Sequence, residues 1–194
     1  MRIKEGNKEK DILEAAIKVF AEKGYHKAKI SKIAEVADVA TGSVYVYYEN
    51  KEDILLKIFE QLWGKVYQDA QIITNSNSSP MAKLESLIDM AFDVFMENTS
   101  LAIVYVNEQS NLIQYSPQKF TANYDKFLDL CEDVVKEGIN KKVMAENIDV
   151  KIFRNYFLGA FRNLLYHWAH DPQRFSLDKI RQNVKSLTKQ GIQR

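Results

Sequence analysis

Proline and glycine are scarce, with three and seven in 194 residues. Both interrupt helices, and their scarcity beside an abundance of Lys, Glu, Ala, Ile and Leu excludes a turn-rich all-β chain and predicts an all-α one. No stretch alternates apolar and polar residues over a useful length. The most strand-like run, Ala102-Ile103-Val104-Tyr105-Val106, is continuously apolar and leads into Asn107-Glu108-Gln109, so it reads as buried helix. Cys131 is the only cysteine, which excludes an intrachain disulfide. It shares a helical stripe with Leu128, Val134 and Val135 and reads as a small buried hydrophobe. No apolar run reaches membrane-spanning length, and the charged N-terminus lacks the apolar core of a signal peptide. The expectation is a cytoplasmic protein with no membrane partner.

Catalytic signatures are missing as well. There is no phosphate loop, dinucleotide fingerprint, nucleophile elbow or zinc spacing. His167, His170 and Asp171 come nearest to a metal set, but two histidines in the last turn of a helix are better read as partners of its dipole. The chain is therefore not expected to be an enzyme or to carry a metal or cofactor. One sign of charge is not in excess overall, the net being +1. Its distribution is uneven. Up to Lys32 nine basic residues (Arg2, Lys4, Lys8, Lys10, Lys18, Lys23, Lys27, Lys29, Lys32) oppose five acids (Glu5, Glu9, Asp11, Glu14, Glu22). A locally basic start is the footprint of phosphate contact or, equally, of a solvated helix face.

What is present is helical periodicity. Ile12, Ala15, Ala16, Val19 and Phe20 predict a helix over about 8–22, with Gly24 as its left-handed cap. Short helices follow over about 31–37 and 41–47. Asn50 caps a long helix to about 73, with Glu52 and Asp53 in its first turn. The polar stretch Thr74-Asn75-Ser76-Asn77-Ser78-Ser79-Pro80 is the clearest loop, and Ser79 with Pro80 opens the next helix. Further helices are expected over about 81–96, 101–112, 118–140, 150–170 and 176–189. Residues 1–51 read as one domain and 52–194 as a second.

The informative segment is Ile30 to Lys51, ISKIAEVADVATGSVYVYYENK. Two short helices joined by a tight turn make a helix-turn-helix, whose second helix enters the major groove of DNA by its N-terminal end. Ala34 and Ala37 are small where the helices must cross. Thr41, Gly42 and Ser43 are short and polar where the second helix must approach phosphate and base edges. Val44 and Tyr48 have the spacing to pack inward, which leaves Tyr45 and Tyr47 free.

This segment resembles the DNA-binding signature of the TetR family of one-component regulators. Phe20-Ala21-Glu22-Lys23-Gly24-Tyr25 matches the end of the family's first helix. Ile33-Ala34, Ala37, Val39, Gly42-Ser43-Val44-Tyr45 and Lys51-Glu52-Asp53-Ile54-Leu55 match the rest in register. Three positions depart: Lys29 stands where a capping Thr is usual, Asp38 where Gly is common, and Tyr48 where Phe is. The resemblance implies DNA contacts at Lys29, Ser31, Thr41, Gly42, Ser43, Tyr45, Tyr47 and Lys51. It also implies an all-α fold whose larger C-terminal bundle binds a ligand and dimerises.

In that larger part the aromatics Trp63, Tyr67, Phe92, Phe95, Tyr105, Phe157 and Phe161, with Met96 and the polar Asn107, are the candidate ligand residues; helical bundles build cavities between such faces. Gln109, Asn111 and Arg162 are further polar candidates. Phe153, Leu164, Leu165 and Trp168, with Ile180, Val184 and Leu187, read as the stripes of a two-fold four-helix bundle. The segment Leu101-Ala102-Ile103-Val104 with Glu108-Gln109-Ser110-Asn111 looks like acyl-CoA-responsive members that repress fatty-acid degradation. The expected function is a homodimeric repressor released from a double-stranded DNA operator by an apolar effector such as a fatty acyl-CoA. A multidrug-sensing repressor, or a helical interaction module that binds no DNA, are the alternatives.

Overall fold

The computed structural model describes residues 8–115, 117–174 and 176–193, without the side chains at 110, 111 and 113–121. Asn111, a polar candidate above, is among those side chains. The described residues fold into nine helices, as the composition requires. α1 (Lys8–Lys23) buries one stripe from Ile12 to Phe20. It stops at Gly24, whose φ of 74° is left-handed and whose N–H donates to the Phe20 carbonyl at 2.9 Å. α2 (Ile30–Val36) and α3 (Thr41–Tyr47) follow. The turn between them passes through Asp38 at φ 54°. The left-handed geometry usual for glycine is thus kept, by a side chain that tolerates it better than most. Val44 and Tyr48 are buried as expected, and the Tyr48 hydroxyl reaches Glu9 Oε1 at 3.3 Å, tying the end of α3 to α1.

α4 (Lys51–Thr74) is the spine. Asn50 Oδ1 accepts from the Asp53 N–H at 3.0 Å. The buried side chains Ile54, Leu55, Ile58, Phe59, Leu62, Trp63, Val66 and Ala70 run its whole length. Its N-terminal half packs on α1, and farther along it lies against α5 (Pro80–Met96) and α7 (Pro117–Asn140). Ser79 Oγ caps α5 by accepting from the Ala82 N–H at 3.3 Å, with Pro80 at the first position. α6 (Thr99–Tyr115) starts earlier than its apolar pattern, because Asn98 Oδ1 accepts from the Leu101 N–H at 2.9 Å. Its strand-like run is helix: Ala102, Val104, Tyr105 and Val106 are all buried there.

α8 (Val150–His170) and α9 (Leu177–Ile192) complete the bundle. α9 continues past Lys189 because the chain end is held: the Ile192 carbonyl accepts from the Ala145 N–H at 2.9 Å. Along α9, Lys189, Lys185 and Arg181 meet Glu85, Asp89 and Asp93 of α5 at 3.6, 2.6 and 2.6 Å. Steps of four run opposite ways on the two helices, so the pairs form an antiparallel ladder. Each pair alone contributes little, but together they fix which side of α9 faces its own protomer. No helix among the described residues is long and apolar enough to cross a membrane.

One contact closes the N-terminal module. Lys51 Nζ donates to the carbonyls of Tyr25, His26 and Ala28 at 2.7, 3.1 and 3.3 Å, and sits 4.5 Å from the centre of the Tyr25 ring. An ammonium has three hydrogens, and here three oxygens of the α1–α2 turn receive them. Lys51→Met keeps the stem and removes the charge. Hydrogen bonds to a charged group contribute about 1.5–3 kcal/mol where buried, so at this half-exposed site a loss of about 1–2 kcal/mol is expected in urea denaturation. An unchanged midpoint would show that the staple contributes nothing.

Candidate nucleic-acid interface and ligand cavity

α3 presents two sides. Val44 has no exposed surface and anchors the helix on α2. The opposite side carries Tyr45, Val46 and Tyr47, all exposed, with Thr41 and Gly42 exposed and Ser43 half-exposed at its start. Ala40 occupies the N-cap without a side-chain bond, so the first N–H groups of α3 have no side-chain oxygen from the cap residue. Lys29 does the same for α2: it is the N-cap, extended at φ −113°, with no capping bond. The usual capping hydroxyl is gone, and an exposed ammonium stands beside the helix end instead. Ser31 is exposed one residue inside α2. Seven of the eight expected DNA residues therefore lie on the outside of the two helices and their joint. Lys51 differs, since its ammonium is held by the α1–α2 turn.

Two details of this surface go beyond the sequence reading. Val46 is 79% exposed in the last turn of α3. An apolar side chain held out at this position suits the methyl group of thymine, and only the direction of the helix face reveals it. Gly42 has the second. A Cβ built there would meet no atom within 4 Å, so the protein's own packing does not require glycine.

The cavity lies in the larger domain, between α4, α5, α6, α7 and α8, with about 70 Å³ of open space. Its walls are apolar. Trp63, Phe95, Tyr105, Phe157 and Phe161 from the expected ligand set line it. The other four do not. Tyr67 is half-buried farther along α4, its hydroxyl accepting from Gln71 Nε2 at 3.1 Å. Phe92 is fully buried behind the cavity, edge-on to Phe161 at 4.9 Å. Met96 and Asn107 are exposed. Phe153, expected at a dimer interface, lines the cavity, as does Cys131. Burial, then the nearby Glu132 carboxylate, pushes the Cys131 thiol up to about 12, so it remains a neutral wall group.

Charge enters the wall at one place. Glu132 is buried and its Oε1 accepts from Arg154 Nη1 at 2.7 Å. Arg154 lines the cavity and its side chain is 31% exposed, so it runs from the wall to solvent. Sequence reasoning missed the pair because Glu132 and Arg154 belong to different helices.

The stripe assigned to dimerisation divides. Leu165, Trp168 and Ile180 are buried within the protomer, and Leu164 and Val184 are half-buried. Ile180 and Val184 face inward because the α5–α9 ladder turns that side of α9 to the core. Leu187 points out, 69% exposed. On α8 the outward side is Ile152, Tyr156, Gly159, Asn163 and Tyr166, spaced four, three, four and three residues apart and free of charge.

The Gly42 geometry yields a test that separates folding from recognition. Gly42→Ala should raise stability by about 0.5–1 kcal/mol, because alanine orders a helix at less entropic cost, and should weaken operator binding by tenfold or so, about 1.4 kcal/mol. Urea denaturation and a duplex titration on the same preparation read both. Operator affinity that is unchanged or stronger would remove close approach at Gly42 from the account.

Comparison with known proteins agrees with this geometry. Residues 12–58 match the bacterial regulatory proteins of the tetR family, and residues 59–191 match the C-terminal region of YsiA-like proteins. The fatty acid metabolism regulator protein of Bacillus subtilis (strain 168) is 32% identical over 183 residues, 93% of each chain. The fatty acid degradation regulator FadR from Bacillus halodurans has a TM-score of 0.83 at 30% identity, covering 95% of each chain. FadR from Bacillus subtilis in complex with stearoyl-CoA has a TM-score of 0.80 at 29% identity, covering 92% of this chain and 96% of that one. The chain belongs to the TetR family of bacterial regulatory proteins, and it is a DNA-binding transcriptional regulator with an N-terminal helix-turn-helix and a C-terminal helical domain.

Proposed function

We propose that this regulator is a homodimeric repressor whose operator binding is relieved by a long-chain fatty acyl-CoA. The observation that carries the reading is the apolar cavity against α4, the helix whose first turns also form the floor of the DNA-binding module. The relative solved with stearoyl-CoA shares the fold over nearly the whole chain, which supports an acyl chain as the occupant. The outward stripe on α8, with Leu187 of α9, is an uncharged face whose large exposed side chains are Ile152, Tyr156, Tyr166 and Leu187; such a face fits a two-fold contact with a second copy. Residues 1–51 act in this reading as the DNA module and 52–194 as sensor and dimer domain.

The mechanism follows from size. Ligand sites commonly enclose about 300–1,000 Å³, and the cavity has about 70 Å³ open. An acyl chain must part the lining helices to enter. α4 supplies Trp63 and Val66 to that lining, so parting it from α5 or α7 tilts the same rod that carries Ile54 and Leu55 into the N-terminal module. Two DNA modules in a dimer must keep the spacing of successive major grooves. A ligand that binds the tilted form more tightly by about 1.4 kcal/mol lowers operator affinity tenfold.

Release of the operator complex by acyl-CoAs of graded chain length, read by mobility shift with free CoA and short acids as controls, tests this. Release should grow with chain length. Indifference to every chain length, with release by a flat aromatic cation, would favour a drug sensor instead.

A further inference from the structure

Three buried polar atoms in this part of the molecule have no hydrogen-bond partner: Trp63 Nε1 and Arg154 Nε, whose residues line the cavity, and Gln109 Oε1 on α6. Trp63 and Gln109 are 5% and 4% exposed, and Arg154 stands at the mouth with its guanidinium held by Glu132. An unmet polar group at that depth is costly, and native proteins keep few of them. Trp63 and Gln109 belong to one neighbourhood. The Trp63 ring lies 5.8 Å from that of Tyr105 and 4.6 Å from that of Tyr124. The amide of Gln109, one helical turn beyond Tyr105 on α6, hydrogen-bonds the hydroxyls of both tyrosines. Trp63 and Tyr105 are also cavity wall. On this side the apolar slot is therefore backed by a polar nest and not by hydrocarbon.

The pair of atoms specifies its ligand. Trp63 Nε1 can only donate, and Gln109 Oε1 can only accept. An alkyl chain satisfies neither. A ketone or ester oxygen accepts from Trp63 and leaves Gln109 unmet. A hydroxyl does both, accepting from the indole and donating to the amide oxygen. We infer that the effector is an acyl chain bearing a hydroxyl group, received between Trp63 and Gln109 at the α4–α6–α7 side of the cavity. The inference rests on the acyl reading above and names the class of acyl chain.

The position of the hydroxyl along the chain follows from the opposite wall. A charged CoA head cannot be buried unpaired, and Arg154 is where the cavity wall reaches solvent with a positive charge. With the thioester at that mouth, the nest is reached by a carbon far from it. The slot has too little open space for any such chain as it stands, so the α5 and α8 side of the lining parts on binding and the nest stays as the end of the enlarged site.

Titration calorimetry of the full-length protein with stearoyl-CoA and with its β-hydroxy, mid-chain hydroxy and ω-hydroxy derivatives tests the inference. One of the two remote hydroxyls should tighten binding by about tenfold or more, as two net hydrogen bonds allow, and the β-hydroxyl should not. Gln109→Leu should remove that preference while still binding stearoyl-CoA; Gln109→Met serves if the leucine variant fails to fold. Equal affinity for all four ligands would overturn the hydroxyl assignment alone and leave the nest as a site for trapped water. Tightening by the β-hydroxyl only would overturn its remote position. A preference that survives both Gln109 variants would overturn the role of Gln109. No binding by any of the four would overturn the acyl reading, and the hydroxyl with it.

Discussion

The burial of α4 is the contact on which the rest depends. One continuous stripe, from Ile54 to Ala70, serves two cores. Its first turns complete the N-terminal module against α1, and its later turns meet α5 and α7 around the cavity. A helix with apolar residues at this spacing transmits displacement as a rigid rod, because its backbone bonds are satisfied internally and its side chains are packed at crystal-like density. The Lys51 ammonium fastens the first turn of that rod to the carbonyls of the α1–α2 turn. In the proposed mechanism this joint is what carries a movement of α4 to α2 and α3.

How much of this was legible in the sequence depends on how local the signal is. The helix-turn-helix is built from neighbours in sequence, and its spacing placed Val44 and Tyr48 inside and Tyr45 and Tyr47 outside. The Asp38 departure left the turn intact because the backbone angle, not the residue type, is what the turn needs. Lys51 is the exception within the module. Its partners lie more than twenty residues away, and a charge at a helix start reads the same whether it faces solvent, phosphate or carbonyl oxygen.

The larger domain was legible as helices but not as contacts. On α8 alone, Phe153, Phe157 and Phe161 line the cavity, Leu165 and Trp168 are core, and Ile152, Tyr156 and Tyr166 face outward. All three sets have helical spacing, so periodicity cannot divide them. The division comes from pairing between distant helices: the ladder from Glu85, Asp89 and Asp93 to α9, and the Glu132–Arg154 bridge from α7 to α8. The same holds for the nest of Trp63, Tyr105, Gln109 and Tyr124, whose members come from three helices.

The central claim is that filling the cavity changes the spacing of the two DNA modules. Glu35 lies exposed on α2, and the partly buried Cys131 is replaced by Ala so that a thiol-directed label goes to position 35 alone. A spin label at Glu35→Cys allows the distance between the two modules of the dimer to be measured by pulsed electron resonance, with and without a long-chain acyl-CoA. A shift of the whole distance distribution on adding the acyl-CoA is the predicted result. An unchanged distribution under conditions where the ligand binds and the operator is released would contradict the account.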